Sequence, residues 1–296
     1  MAYLKEVVNR INLITSTQQI TKAMNMIAAS KLYKIQQLLL PLKEYTMQYN
    51  ILLQTALQGI SGSMLSHPLT VKAAEKPRRL LLIVVTADRG LCGAFNKNVL
   101  KAASCYMESC KSAATATIEL LVIGKKAYQC FKNGNYPIID DYVDLLEKDF
   151  WKGGHRLAEH CIKTYQEARY TEIVWVYTAF KNAVSQEVAT ASFLPLALNA
   201  YESPPNTQWP HYMYEPTQQL LIAQLIPEVL KNQVMNRLVE SMASEHAARM
   251  LTMSQATDNA DAFLKVLRIH YNRTRQALIT NSLAEITTAA EALATR

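Results

Sequence analysis

The spacing of apolar residues near the N-terminus constrains this chain more than any other feature. Ala28, Leu32, Ile35, Leu39, Leu42, Thr46, Tyr49, Leu53 and Ala56 are apolar or small and recur at alternating intervals of four and three. That alternation is the seam of a left-handed coiled coil. Upstream, Leu4, Val7, Ile11 and Ile14 continue a stripe. The polar residues Thr15, Ser16, Thr17, Gln18 and Gln19 interrupt it, and Ile20, Met24 and Ile27 are expected to resume it. A helix over residues 3–58 would be about 80 Å long, too long for a small globule to cover. It therefore needs a partner helix. Pro41 lies inside the periodic stretch and predicts a kink or a local break.

The partner is available at the other end. Ile222, Leu225, Val229, Met235, Leu238 and Met242 give residues 217–296 an apolar face, and Phe263, Leu264, Leu267, Tyr271, Leu278 and Ile286 extend it. Pro227 predicts a bend, and no proline or glycine follows it. Such a run exceeds an ordinary globular helix. Two long amphipathic helices at opposite ends of one chain satisfy each other most simply as an antiparallel pair.

The middle has a different pattern. Residues 59–79 read as a linker, punctuated by Gly59, Gly62 and Pro68 and closed by Lys76-Pro77-Arg78-Arg79. Leu80–Val85 is a continuous apolar run, as expected of a strand buried on both faces. Further strands are expected at 118–123, around Ile138 and Ile139, at 173–178 and at 188–194. Helices are expected at about 94–110, after Gly124-Lys125-Lys126 and at about 151–170. Alternation of this kind indicates a mainly parallel sheet. Residues 201–216 are irregular and proline-rich, with a short edge strand possible at Tyr212–Glu215. The expected fold is thus α/β plus a long α-helical coiled coil. An N-terminal helix (1–58), a linker (59–79), a Rossmann-like α/β domain (80–216) and a C-terminal helix (217–296) follow one another, with the first and last paired.

Charge and cysteine content limit the function classes. The formal charge is +7. In residues 1–58, Lys5, Arg10, Lys22, Lys31, Lys34 and Lys43 face only Glu6 and Glu44, so the excess there is 6 − 2 = 4. A basic helix can meet nucleic acid, anionic lipid or an acidic protein surface. The charges are interspersed, which argues against nucleic acid. Cys92, Cys105, Cys110, Cys130 and Cys161 contain no CxxC pair, and their odd number suits reduced thiols. No apolar stretch approaches a membrane span, and the N-terminus resembles neither a signal nor a transit peptide.

Candidate chemistry is sparse. Asp88-Arg89-Gly90-Leu91-Cys92-Gly93 follows the first strand and could place an anion at a helix N-terminus. It satisfies neither the dinucleotide nor the P-loop pattern, so a tight turn is the plainer reading. Cys92 lacks a neighbouring base and reads as an inert, partly exposed thiol. His155 and His160, with Cys161, share no helix face suited to a metal. Adjacent Ser244, Glu245 and His246 point in different directions on a helix and cannot form a triad. No catalytic, cofactor or metal residue is assigned. The methionines Met24, Met26, Met235, Met242, Met250 and Met253 read as coiled-coil packing.

Three segments carry a resemblance. Thr17-Gln18-Gln19-Ile20-Thr21-Lys22-Ala23-Met24-Asn25-Met26-Ile27-Ala28-Ala29-Ser30-Lys31-Leu32 closely resembles the N-terminal signature of F-type ATP synthase γ subunits. The loop at 88–93 matches that family's DRGLCG. Ser244-Glu245-His246-Ala247-Ala248-Arg249-Met250, with Ala256-Thr257-Asp258-Asn259-Ala260, matches its C-terminal signature, and Tyr271-Asn272 and Arg275-Gln276-Ala277 extend it. Gln19 and Tyr33 depart from basic residues common in the family. No inserted cysteine pair of the chloroplast kind is present. The resemblance implies a non-catalytic central-stalk rotor, with ATP chemistry in the β subunits. It implies torque passed between a proton- or sodium-driven membrane c-ring and a hexamer of α and β subunits, with ε and δ as further partners. By the same resemblance, Lys22, Met24, Arg89, Cys92, Glu245, Arg249, Arg275 and Gln276 are candidate subunit contacts. The chain would take no cofactor, nucleic acid or small-molecule substrate. It would sit peripherally on the cytoplasmic face of a bacterial energy-coupling membrane, or alternatively on the matrix side of the mitochondrial inner membrane.

Overall fold

The computed structural model describes residues 2–57, 67–70, 79–113, 117–132, 134, 136–142, 145, 150–197, 213–215 and 217–294. Ten elements follow one another: α1 (Ala2–Ala56), β1 (Arg79–Val85), α2 (Phe95–Ala113), β2 (Thr117–Ile123), α3 (Lys125–Phe131), β3 (Ile138–Tyr142), α4 (Phe150–Gln166), β4 (Glu172–Phe180), β5 (Gln186–Leu194) and α5 (Gln218–Ala294). The expected linker and the irregular stretch before α5 fall mostly outside the described residues. The chain gathers into two compact units, residues 29–249 and residues 1–28 with 250–296.

The larger unit is built on a five-stranded sheet in the order β3-β2-β1-β4-β5. Strands β3, β2, β1 and β4 are parallel, and β5 is an antiparallel edge strand beside β4. Alternation along β1 sends Leu81, Ile83 and Val85 to one face and Leu80, Leu82 and Val84 to the other. On the second face they meet Val99, Ala103 and Met107 of α2 and Ala127 and Phe131 of α3. On the first face they meet Leu157 and Cys161 of α4, Ile226, Val229 and Leu230 of α5, and Leu53 and Ala56 of α1. All six residues of Leu80–Val85 are fully buried. Each such side chain contributes about 1.5–3 kcal/mol from burial, which is why an unbroken apolar run was needed here.

Within this unit α1 and α5 run antiparallel. Lys43 Nζ meets Glu240 Oε1 at 2.8 Å, and Gln218 Nε2 donates to the Ala56 carbonyl at 2.8 Å. The residues of the four-three repeat from Leu32 to Ala56 turn inward, with Tyr49 half-buried and the rest buried. Helix α1 runs through Pro41 without a break. The carbonyl that proline leaves without a partner belongs to Gln37, which is exposed, so water can satisfy it. Pro227 is accommodated inside α5 in the same way, four residues after exposed Ala223.

In the smaller unit the two helices again meet antiparallel. The hydroxyls of Thr21 and Thr257 lie 2.9 Å apart, and Gln18 Nε2 donates to Asp261 Oδ1. Two expectations are corrected here. Ile20 and Ile27 do not resume the seam; they are 60% and 59% exposed. Counting back from Ala28 in threes and fours gives Asn25, Thr21, Gln18, Ile14, Ile11, Val7 and Leu4, all at least half-buried. The heptad phase never slips, and polar residues simply occupy three inward positions. Phe263, Leu278 and Ile286 are exposed rather than packed. From Gln18 opposite Asp261, the register places Ala2 opposite residue 261 + 16 = 277. Helix α5 runs on past the point where α1 begins, and residues 275–290 are exposed throughout.

A third correction concerns the expected edge strand at Tyr212–Glu215. Tyr212 lies outside the described residues, and residues 213–215 form no strand.

Candidate functional site

The loop between β1 and α2 is shaped by what surrounds it. Thr86 receives the Ala127 N–H on Oγ1 at 2.9 Å and donates to the Ile123 carbonyl at 3.2 Å. Asp88 Oδ1 accepts the Lys125 N–H at 2.9 Å. The first N–H groups of α3 are therefore capped by side chains of the neighbouring loop. Gly124, with φ of 93°, makes this approach possible, because a Cβ there would stand 2.8 Å from the Thr86 carbonyl carbon. Asn96 Oδ1 accepts the Ala87 N–H at 2.9 Å, and Asn96 Nδ2 approaches Cys92 Sγ at 3.1 Å.

Leu91 is held in the left-handed region, φ 62°, and its side chain is 61% exposed. A leucine pays of order 1–3 kcal/mol for that conformation. The loop thus spends free energy to present an apolar side chain to solvent. Cys92 beside it turns inward and is buried with Ala87, Phe95 and Ala248. This corrects the expected partly exposed thiol. Burial pushes the Cys92 thiol up, against the pull of the Arg249 cation, so it is not an activated thiolate.

Helix α5 holds the loop from behind. Arg249 donates from Nη2 to the Arg89 and Gly90 carbonyls at 3.4 Å, and from Nε to the Gly90 carbonyl at 3.4 Å. The same guanidinium pairs with Glu245 Oε1 at 2.8 Å, one helical turn away. Burial raises the Glu245 carboxyl, and Arg249 opposes that shift. His246 Nδ1 lies 3.3 Å from Arg249 Nη1. Burial first, then the Arg249 and Lys31 cations, hold its imidazole at about 4. Lys31, Lys34 and Ile35 of α1, Asp88 and Arg89 of the loop, and Met242, Glu245 and His246 of α5 line a cleft of about 420 Å³.

The structure brings Arg89, Cys92, Glu245 and Arg249 together. Arg89 is exposed, while Cys92 and Arg249 are buried. The remaining candidates belong to the smaller unit. Lys22, Arg275 and Gln276 are exposed on their helices, and Met24 is half-buried. His155 is exposed and Cys161 fully buried, with its thiol pushed up to about 12. Ser244 Oγ donates to the Thr178 carbonyl at 3.3 Å, away from His246. Among the described residues, no group of three or more His, Cys, Asp or Glu side chains is placed to hold a metal. Sequence reasoning missed Leu91 and Asn96. An apolar residue between two turn glycines, and an amide just inside the next helix, were the available signals.

The chain from 3 to 293 matches the family model described as ATP synthase. It is 41% identical to the ATP synthase gamma chain of Amoebophilus asiaticus, covering 99% of both chains. It is 37% identical to that of Cytophaga hutchinsonii, again over 99% of both. Among solved structures, it is similar to a chain of the central stalk/c-ring of the Tetrahymena thermophila mitochondrial ATP synthase. That match has a TM-score of 0.57 at 26% identity and covers 80% of this chain and 99% of the other. A chain from the Euglena gracilis mitochondrial enzyme gives a TM-score of 0.64 at 17% identity, covering 99% and 95%, which speaks for the fold. With ordered signatures on α1, the β1–α2 loop and α5, and relatives matched along their whole length, this chain belongs to the ATP synthase gamma chain family.

Proposed function

We propose that the chain is the central-stalk rotor subunit of a proton- or sodium-translocating F-type ATP synthase. It passes torque between a membrane c-ring and the catalytic α and β subunits and imposes asymmetry on three catalytic sites. ATP chemistry resides in the β subunits. The observation that carries the reading is the pair of long helices, antiparallel within each unit, in a chain whose family is that of ATP synthase gamma chains. A tightly seamed pair of helices resists twisting better than a single helix. Among the described residues no helix is long and apolar enough to cross a membrane. In this reading the chain is held at the membrane by contacts with the c-ring and with ε and δ, on the cytoplasmic face of a bacterial membrane or, alternatively, the matrix side of the mitochondrial inner membrane.

Within that reading the site residues divide by burial. Arg89 and Leu91 present the loop to a neighbouring subunit. Cys92, Glu245 and Arg249 fix its shape from inside. Lys22, Met24, Arg275 and Gln276 meet the hexamer on helix surfaces. Native mass spectrometry of a complex captured through a tag on this chain tests the assignment. One copy with α, β, ε and c subunits is expected. Recovery of the chain without any ATP synthase subunit would overturn it.

A further inference from the structure

The cleft lined by Lys31, Lys34, Ile35, Asp88, Arg89, Met242, Glu245 and His246 carries more cationic than anionic side chains. Lys31 and Lys34 stand three residues apart on α1, so they share a helix face and both reach the cleft. Among the described residues neither has an ion-pair partner. Glu245 is taken by Arg249, and Asp88 accepts from the N-terminus of α3 on Oδ1, while its Oδ2 is buried without a hydrogen-bond partner. Lys31 and Lys34 are thus two cationic groups at the cleft without an ion-pair partner among the described residues. The walls combine that charge with the apolar side chains of Ile35 and Met242. At about 420 Å³ the cleft is in the size range of small-molecule sites.

We propose that this cleft binds a small dianion of the phosphate class, either free phosphate or the phosphoryl end of a small ester, between Lys31 and Lys34 with Arg89 at the rim. Low-dielectric walls focus the cationic field, and a doubly charged tetrahedral oxyanion matches the charge of the two ammonium groups and can accept from more than one donor at once. The neutral imidazole of His246 fits the same picture. It is kept unprotonated first by burial and then by the Arg249 and Lys31 cations, and a dianion bound beside Lys31 would oppose the cationic part of that shift and raise its affinity for a proton. The inference goes beyond the rotor reading and does not depend on it. The cleft lies wholly within the larger unit, so the test needs no assembled complex.

Limited acetylation of the full-length chain, read residue by residue by mass spectrometry, tests the proposal. Potassium phosphate, pyrophosphate and a nucleoside diphosphate are compared with potassium chloride at equal ionic strength. Lys97 and Lys101, exposed on α2, serve as internal references. At a ligand concentration about ten times its dissociation constant, the modification rates of Lys31 and Lys34 should fall roughly tenfold, with the references unchanged. Protection by phosphate alone assigns the free ion, and protection by the diphosphate alone assigns the ester. In parallel, NMR titration of the His246 ring should move to higher pH when the ligand is present. The double variant Lys31→Ala, Lys34→Ala, which alters only side chains at the cleft rim, should abolish that movement while retaining the thermal transition. Equal protection by chloride, or protection by an acidic peptide and by none of the phosphate ligands, would overturn the proposal.

Discussion

Arg249 is the residue on which the β1–α2 loop depends most. It donates to two loop carbonyls and neutralises a carboxylate that is itself nine-tenths buried. Arg249→Leu leaves Glu245 as an uncompensated buried charge, which costs about 3–5 kcal/mol. The variant should show that loss in denaturant unfolding, and the double variant with Glu245→Gln should recover most of it. His246 gives a pH signature. Its folded-state value of about 4 lies below the ordinary 6.5, so the unfolded chain binds more protons between those values. Stability contributed by the neutral imidazole is present above pH 6.5 and is lost as pH falls towards 4. Glu245 works in the opposite sense, because its raised carboxyl favours the protonated folded state. Comparison with His246→Gln isolates the histidine. Between pH 6.5 and 4.5 the parent chain should lose about 2–3 kcal/mol more than the variant. Equal losses would remove the histidine from the account. Cys92 shows what sequence left open at this scale. The motif named the residue, but its inward direction is set by Phe95 and Ala248, contacts made only after folding.

At the level of elements, the seam from Leu32 to Ala56 was readable because period and burial coincide residue by residue. Farther towards the N-terminus they separate. The same phase places Gln18, Thr21 and Asn25 inward, and hydropathy alone favours Ile20 and Ile27. Polar inward positions of this kind hold a register at some expense of stability. The two prolines were legible as residues but not in their effect, since each leaves its unpaired carbonyl on a wet face. The strands were readable because burial on both faces demands continuous apolar runs, whereas nothing in the apolar pattern of β5 encodes its antiparallel direction beside β4. Ile35 and Leu39 are 8% and 3% exposed and face α5. Replacing either by Asp buries an unpaired charge and should destabilise the chain by several kcal/mol, read as a lower thermal midpoint. An unchanged midpoint would contradict the pairing of α1 with α5 in this unit.

The whole molecule joins two kinds of construction. A mostly parallel sheet, covered on both faces, forms the core of the larger unit. Helices α1 and α5 contribute to both units and bind each other within each. Periodicity and burial lead as far as paired helices beside a covered sheet; rotation enters through the family. The most direct test of the rotor reading is to watch the chain turn. Cys130 is exposed on α3 and accepts a probe once exposed Cys105 is replaced by Ser. In immobilised complexes supplied with ATP, a probe on Cys130 should rotate in one direction with three dwell positions per revolution. ATP hydrolysis at full rate with the probe stationary would contradict the account.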